Sequence, residues 1–241
     1  MNKSDKEQAG KILVIGPTMG SSLWRDMIKA ELPCDKIIFL GEYFTSPFKT
    51  TKQSLAEYLE ISYYKNMMYD KVILLRSLWD TGYLKLDNLN IDLDLPINFP
   101  RTMLTNDTQW CYKSGNIFFS SKGITQQWVD HLHLTLLNTK SKINSLVTQI
   151  NKNNDFKYFT IFEQGTYTEP NYSCLNGDNI KKSVKSISHP DMKYIQVVSR
   201  NQFSNEYKID KDGVLFYCVP SVPTKEYLVI EGDEFTFKKL K

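Results

Sequence analysis

A sheet-rich α/β domain is the fold class this sequence predicts, and three observations predict it. The chain opens with three apolar runs of strand length, KILVI (11–15), KIIFL (36–40) and KVILL (71–75). Their lack of polar alternation suits central strands covered on both faces. Helical patterns separate the runs, which gives βαβαβ order and therefore a parallel sheet with right-handed crossovers. Further strand-length runs crowd the C-terminal half.

Each element has its own local support. The first helix, about residues 21 to 32, can be capped by Ser21 or Ser22; the second, about 51 to 67, carries S-L-A-E from Ser54 to Glu57, the pattern of a capping box. LKLDNLNIDLDLPINFP (84–100) alternates acidic and apolar residues and ends in prolines, so it is expected as an exposed loop or edge strand within a variable region spanning 84–115. NIFFS (116–120) is expected as a strand and Thr125 to Asn151 as a long helix. KYFTIF (157–162), KYIQVVS (193–199), GVLFYCV (213–219), EYLVIE (226–231) and EFTFKK (234–239) are the later strand candidates, the last two joined through Gly232-Asp233, a pair suited to a tight hairpin turn. With no internal repeat at 20 to 50 residues and no low-complexity linker, residues 1–241 are expected to form one domain.

Composition narrows the function classes. The chain has 241 residues, 41% apolar and 13% aromatic, enough for a real core. It has no stretch of eighteen apolar residues, and its polar start, MNKSDKEQAG, leads into no signal-peptide core. A cytoplasmic protein that engages no membrane is therefore expected. A net charge of +3 permits an anionic ligand without calling for long nucleic acid. Cys34, Cys111, Cys174 and Cys218 form no C-x-x-C and are expected as buried free thiols. His131 and His133, two apart on a helix, point to different faces, and His189 has no recognisable partner. Residues 87–94 hint at a calcium loop, but with Asn88 first the sixth place is Leu93 rather than Gly and the twelfth is Phe99 rather than Glu. Lys181, Lys182 and Lys185 form a solvated basic run, and Ser54, Ser120 and Ser121 have no histidine-carboxylate pattern beside them.

The ends of strands in open α/β sheets gather ligands, and here they present GPTMG (16–20), GEYFTSP (41–47), RSLWD (76–80), FFSSKGI (118–124) and VVSRN (197–201). Their order and spacing resemble the calcineurin-like metallophosphoesterases, in particular the phage-type, PP2A-like phosphatase branch. The family's blocks read G-D-x-H-G, G-D-x-x-D-R-G, G-N-H-D/E, S-H-A-G and G-H-T. The resemblance covers nearly the whole chain and implies a two-sheet β-sandwich flanked by helices (α/β/β/α).

Laid on that pattern, the family's metal ligands are missing. The first Asp and His fall on Pro17 and Met19, the bridging Asp on Glu42, and the Asp-Arg pair on Thr45 and Ser46. Leu78 and Trp79 replace the Asn and His of the third block; Ser121, with Lys122 beside it, replaces the fourth-block His; Ser199, Arg200 and Asn201 replace G-H-T. Two-metal hydrolysis needs several hard ligands around ions about 3.5–4 Å apart, which one glutamate does not supply. The expectation is a degenerate member that is not an enzyme, with no catalytic residue, metal or cofactor. Guanidinium and ammonium groups standing in for metals can hold phosphate by charge-assisted bonds. The expected ligand-binding set is Arg200, Lys122, Trp79, Tyr43, Glu42, Arg76, Ser121 and Asn201, with Arg76 either structural or part of the set and Trp79 equally a filler of the core. The expected partner is a nucleotide-like phosphorylated small molecule, bound and sequestered. By analogy with phage-borne relatives this would be a viral counter to a host nucleotide signal, in the host cytoplasm. A protein-docking module using the same face or segment 84–100 is the alternative. A residual phosphoesterase drawing on Asp80 or Asp130 is a distant third. The oligomeric state is left open.

Overall fold

The computed structural model describes residues 10–44, 46, 49–77, 80, 103–104, 106–121, 194–199, 207–211 and 214–241. In chain order they form β1 (Ile12–Ile15), α1 (Trp24–Glu31), β2 (Lys36–Phe39), α2 (Thr51–Met67), β3 (Val72–Leu75), β4 (Thr108–Gln109), β5 (Cys111–Ser114), β6 (Ile117–Ser120), β7 (Tyr194–Ser199), β8 (Lys208–Lys211), β9 (Val214–Val219), a 3-10 turn (Val222–Thr224), β10 (Glu226–Glu231) and β11 (Glu234–Lys239). They divide into two compact units, residues 1–109 with 219–241, and residues 110–218.

The first unit holds a six-stranded mixed sheet in the order β11-β10-β1-β2-β3-β4. The three apolar runs are its parallel centre, Ile12 opposite Lys36 and Ile37 opposite Val72, while β10 runs antiparallel to β1. All four residues of β1 are fully buried, as their unbroken apolar character requires. β10 and β11 form the expected hairpin across Gly232, which adopts φ +59.

Both helices occupy the expected spans with different caps. α1 begins at Trp24 with Leu23 at its N-cap position, and Ser21 Oγ accepts only the Leu23 N–H at 3.4 Å, so neither Ser21 nor Ser22 caps it. In α2 the capping box is Thr50 with Gln53, not Ser54 with Glu57. Ser54 is fully buried, and Glu57 faces α1, where it accepts from Trp24 Nε1 and pairs with Arg25 at 3.0 Å.

The second unit holds a five-stranded mixed sheet in the order β5-β6-β7-β9-β8, with β6 and β7 parallel. β4 and β5 lie inside the segment 84–115 expected as loop; Cys111 and Thr108 are buried and paired with neighbouring strands, so this part of the segment belongs to the sheets. Residues 84–100, the helix expected at 125–151 and the strand expected at 157–162 lie outside the described residues. The fold class is α/β with two mixed sheets, as expected. Cys34, Cys111 and Cys218 are buried thiols outside any disulfide. Among the described residues no helix is long and apolar enough to cross a membrane, which says nothing of strands.

Candidate functional site

In the first unit, three loops follow the parallel strands β1, β2 and β3. Gly16 opens the first loop where a side chain would be impossible: a Cβ there would sit 1.8 Å from Pro220 O. The second loop is tied to the first by backbone, Thr18 N–H donating to Gly41 O at 3.4 Å and Met19 N–H to Glu42 O at 2.9 Å. Two non-glycine residues in these loops adopt left-handed backbone, Met19 at φ +49 and Glu42 at φ +56. Such conformations cost about 1–2 kcal/mol each and persist where surrounding structure fixes them.

Asp80, from the third loop, supplies much of that fixing. Its Oδ2 accepts the Glu42 N–H at 2.8 Å, the Ser77 N–H at 2.9 Å and the Ser77 hydroxyl at 2.9 Å, while Oδ1 accepts the Tyr43 N–H at 2.8 Å. Asp80 N–H returns to Ser77 Oγ at 3.1 Å. Ser77 and Asp80 thus form a reciprocal capping box, and S-x-x-D in RSLWD is the sequence signal that could have found it. Gly41, at φ +93, lets the loop approach: a Cβ there would lie 3.1 Å from Asp80 Oδ2. Asp80 is 0% exposed, and burial pushes its carboxyl up to about 6 against the opposing bonds from Ser77, Tyr43 and Glu42.

Tyr43, Arg76 and Glu42, also singled out in these loops, are buried. Tyr43 is 1% exposed, its hydroxyl donates to Leu75 O at 2.8 Å, and its ring packs 5.0 Å from Tyr58. Burial raises the pKa of both phenols well above the usual value. Arg76 is buried; its Nη2 donates to Thr108 O at 2.6 Å and its N–H to Gln109 O at 2.9 Å, which holds β4 to the sheet, and burial lowers its pKa. Glu42 is 9% exposed. The buried hydroxyls of Thr18, Ser54 and Tyr58 have no hydrogen-bond partner.

In the second unit the fourth and fifth blocks meet. β6 and β7 run side by side, and Ser121 O, just past β6, accepts both the N–H of Ser199 at 2.9 Å and its hydroxyl at 2.5 Å. Residues 78 apart in sequence are therefore neighbours. Ser121 is buried and its own hydroxyl has no hydrogen-bond partner. Trp79, Lys122, Arg200 and Asn201 lie outside the described residues.

The donor set of the described loops does not fit a two-metal centre. Pro17 and Met19 offer no hard ligand atom, both Asp80 oxygens accept hydrogen bonds, and Glu42 is the only other carboxylate in the described parts of the three loops. Among the described residues no group of three or more His, Cys, Asp or Glu could hold a metal ion. What the loops offer is backbone N–H groups and hydroxyls beside strained turns, which can hydrogen-bond phosphate oxygens.

No protein-family model matches the chain, and no curated protein matches its sequence. Solved structures do share its fold. A cold-active protein-tyrosine phosphatase of a psychrophile, a Shewanella species, superimposes with a TM-score of 0.57 at 11% identity, over 97% of this chain and 81% of that one. A protein serine/threonine phosphatase from Saccharomyces cerevisiae, similar to human phosphatase PP5, gives a TM-score of 0.59 at 10% identity, over 98% of this chain and 81% of that one. The architecture is phosphatase-like and consistent with a calcineurin-like phosphoesterase fold. This corrects the expectation that the chain is not an enzyme: the folds it shares are those of phosphatases. The physical reason is that exchanged ligands in five motif blocks speak to one way of activating water and not to phosphoester chemistry as a whole.

Proposed function

We propose that this chain recognises a phosphate-bearing small molecule, nucleotide-like in kind, at the adjoining ends of β6 and β7, and that capture of this molecule is its task. One observation supports the reading above others. Ser121 and Ser199 are joined by hydrogen bonds at the ends of two parallel strands, and the buried Ser121 hydroxyl has no hydrogen-bond partner of its own. Ligands of α/β proteins collect at such strand ends. Lys122 and Arg200 directly follow Ser121 and Ser199 in sequence, and are assigned the role of the two cations a phosphate needs. Asn201 adds a hydrogen-bonding amide. A viral setting, in which the ligand is a host signal nucleotide, follows from the family resemblance.

The reading concerns recognition and holds at any rate of turnover, so binding and cleavage are measured together. Protein denatured after purification is analysed by mass spectrometry for a released phosphorylated molecule, and its thermal shift is followed across a panel of mono-, di- and cyclic nucleotides. At least one nucleotide is expected to raise the melting temperature, and Arg200→Glu to abolish the shift while the fold persists. In parallel, phosphate release from a generic phosphodiester is followed with Mn²⁺ added. A panel with no shift and no copurified phosphoester would sink the reading and leave protein docking in its place.

A further inference from the structure

In the first unit a cavity of about 340 Å³ lies beside Lys36 and Val72, the first residues of β2 and β3, and so away from the loops that follow these strands. We propose that it binds a small zwitterion of the free amino-acid kind, with the carboxylate of the ligand on Lys65 and Lys36 and its ammonium group on Asp70.

The cavity arises because neighbouring elements differ in length. β3 has four residues and β4 has two, and β4 pairs only with Leu74 and Leu75. The notch beside the first half of β3 is lined by Ile73, by Lys65 and Tyr69 at and beyond the end of α2, and by Asn106 and Asp107 ahead of β4. Ser62 and Lys65, three apart and on one face of α2, fix that last wall. The Ser62 hydroxyl donates to Asp107 Oδ2, and Lys65 Nζ donates to Asp107 O at 2.5 Å. Across the notch Lys36 Nζ donates to Asp70 O.

What the walls leave unmatched defines the ligand. Each ammonium group carries three N–H donors and spends one of them on a backbone carbonyl. Among the described residues neither lysine is in an ion pair, and the Asp70 carboxylate accepts no hydrogen bond. Burial lowers the Lys65 pKa, with the Asp107 carboxyl opposing the change, so an anionic partner would relieve the cost of keeping that amine charged.

The mixture of signs decides between ligand classes. A simple anion would gain the two lysines but meet the carboxylates of Asp70 and Asp107, and a simple cation would meet the reverse. A molecule carrying both charges satisfies both. The half-buried Ile73 and the exposed Tyr69 ring offer apolar surface to its side chain. The volume stands at the small end of the range for ligand cavities, about 300–1,000 Å³, which suits a single amino acid.

The test is titration calorimetry of the full chain with each of the free L-amino acids at millimolar concentration. The controls are inorganic phosphate and, for each amino acid that binds, the matching amine and the matching carboxylic acid, which carry one charge each. At least one amino acid is expected to bind and its single-charge analogues to bind at least about tenfold more weakly. Asp70→Asn and Lys65→Gln should each raise the dissociation constant about tenfold or more, since each removes one charge partner. Asp70 is exposed, so its variant should melt with the wild type when no ligand is present, which separates lost binding from lost folding. No heat with any amino acid would overturn the proposal. So would binding that both variants leave unchanged, or binding matched by phosphate or by the single-charge analogues.

Discussion

Asp80 Oδ2 lies 2.8 Å from the Glu42 backbone nitrogen and 2.9 Å from that of Ser77, so one carboxylate oxygen fastens the loop after β2 to the loop after β3. The coupling continues to the loop after β1, because Glu42 O accepts the Met19 N–H. Left-handed backbone at Glu42 and Met19 is thereby held in a chain of hydrogen bonds that starts from a single buried side chain.

Truncating that side chain should be costly. Asp80→Ala leaves the N–H groups of Glu42, Tyr43 and Ser77 without this acceptor in a buried place. A loss of about 3 kcal/mol or more in urea unfolding is expected, since each unsatisfied buried donor costs about 1–3 kcal/mol. Asp80→Asn can keep its oxygen at the Oδ2 position and loses only the bond to Tyr43, so its cost should be about 1–2 kcal/mol. Equal costs for the two variants would show that the carboxylate does not act through these bonds.

Asp80 also gives the fold a pH signature. Burial pushes its pKa from 3.8 up to about 6, so the folded chain binds a proton that the unfolded chain releases. The stability associated with the neutral form is complete below pH 3.8 and is lost as pH rises through about 6. Between those values the wild type should lose stability with rising pH relative to Asp80→Asn, which cannot titrate there. Chemical denaturation of both proteins at several pH values across this window checks it; parallel curves would mean that Asp80 titrates in the fold as it does in the open chain.

How much of this was legible follows from what each residue's neighbours in sequence can reveal. The central strands were plain, because Ile12 to Ile15, Ile37 to Phe39 and Val72 to Leu75 are apolar on both faces. β4, β5 and β8 were not: TQ, CYKS and KIDK carry no run of their own and become strands only through the partners they meet. The α2 cap slipped by four residues because Ser54-x-x-Glu57 and Thr50-x-x-Gln53 satisfy the same pattern, and only packing shows that Ser54 is needed inside. Tyr43 and Arg76 looked like ligand groups from their place after a strand, yet their polar atoms reach Leu75 O and Thr108 O. Position in the chain says where a side chain starts and not which way it turns. The pairing of Ser121 with Ser199 was implied only by the resemblance, since nothing local links residues 78 apart.

Two glycines separate steric need from backbone preference. Gly16→Ala would drive a methyl to 1.8 Å from Pro220 O, a main-chain atom with no room to move, and should prevent stable folding or lower the melting temperature severely. At Gly115 nothing lies within 4 Å of an added Cβ, but φ is +57, so Gly115→Ala should cost only the left-handed strain of about 1–2 kcal/mol. Thermal melts of both variants read the difference. A mild Gly16→Ala would mean that the turn at Gly16-Pro17 can open away from Pro220.

Glu31 offers a test with the opposite pH sign. It is 4% exposed at the end of α1 and accepts from Tyr227 Oη at 2.9 Å and from Lys238 at 3.0 Å, with Lys11 at 2.8 Å. Burial pushes its pKa up, but the bonds from Lys11, Lys238 and Tyr227 outweigh that and leave it below the usual 4.5. Its stabilising contribution is therefore present above pH 4.5 and disappears as pH falls through the lower folded value. A fully buried pair broken on one side costs about 3–5 kcal/mol, but both lysines here are partly exposed, so Glu31→Gln should cost about 1–3 kcal/mol at neutral pH. The gap between variant and wild type should close as acidification carries the pH below 4.5 and through the lower folded value, where the wild-type carboxyl also becomes neutral. Denaturant titrations of both proteins at neutral and acid pH decide it: a gap that stays constant would place the loss in packing around residue 31 rather than in its charge.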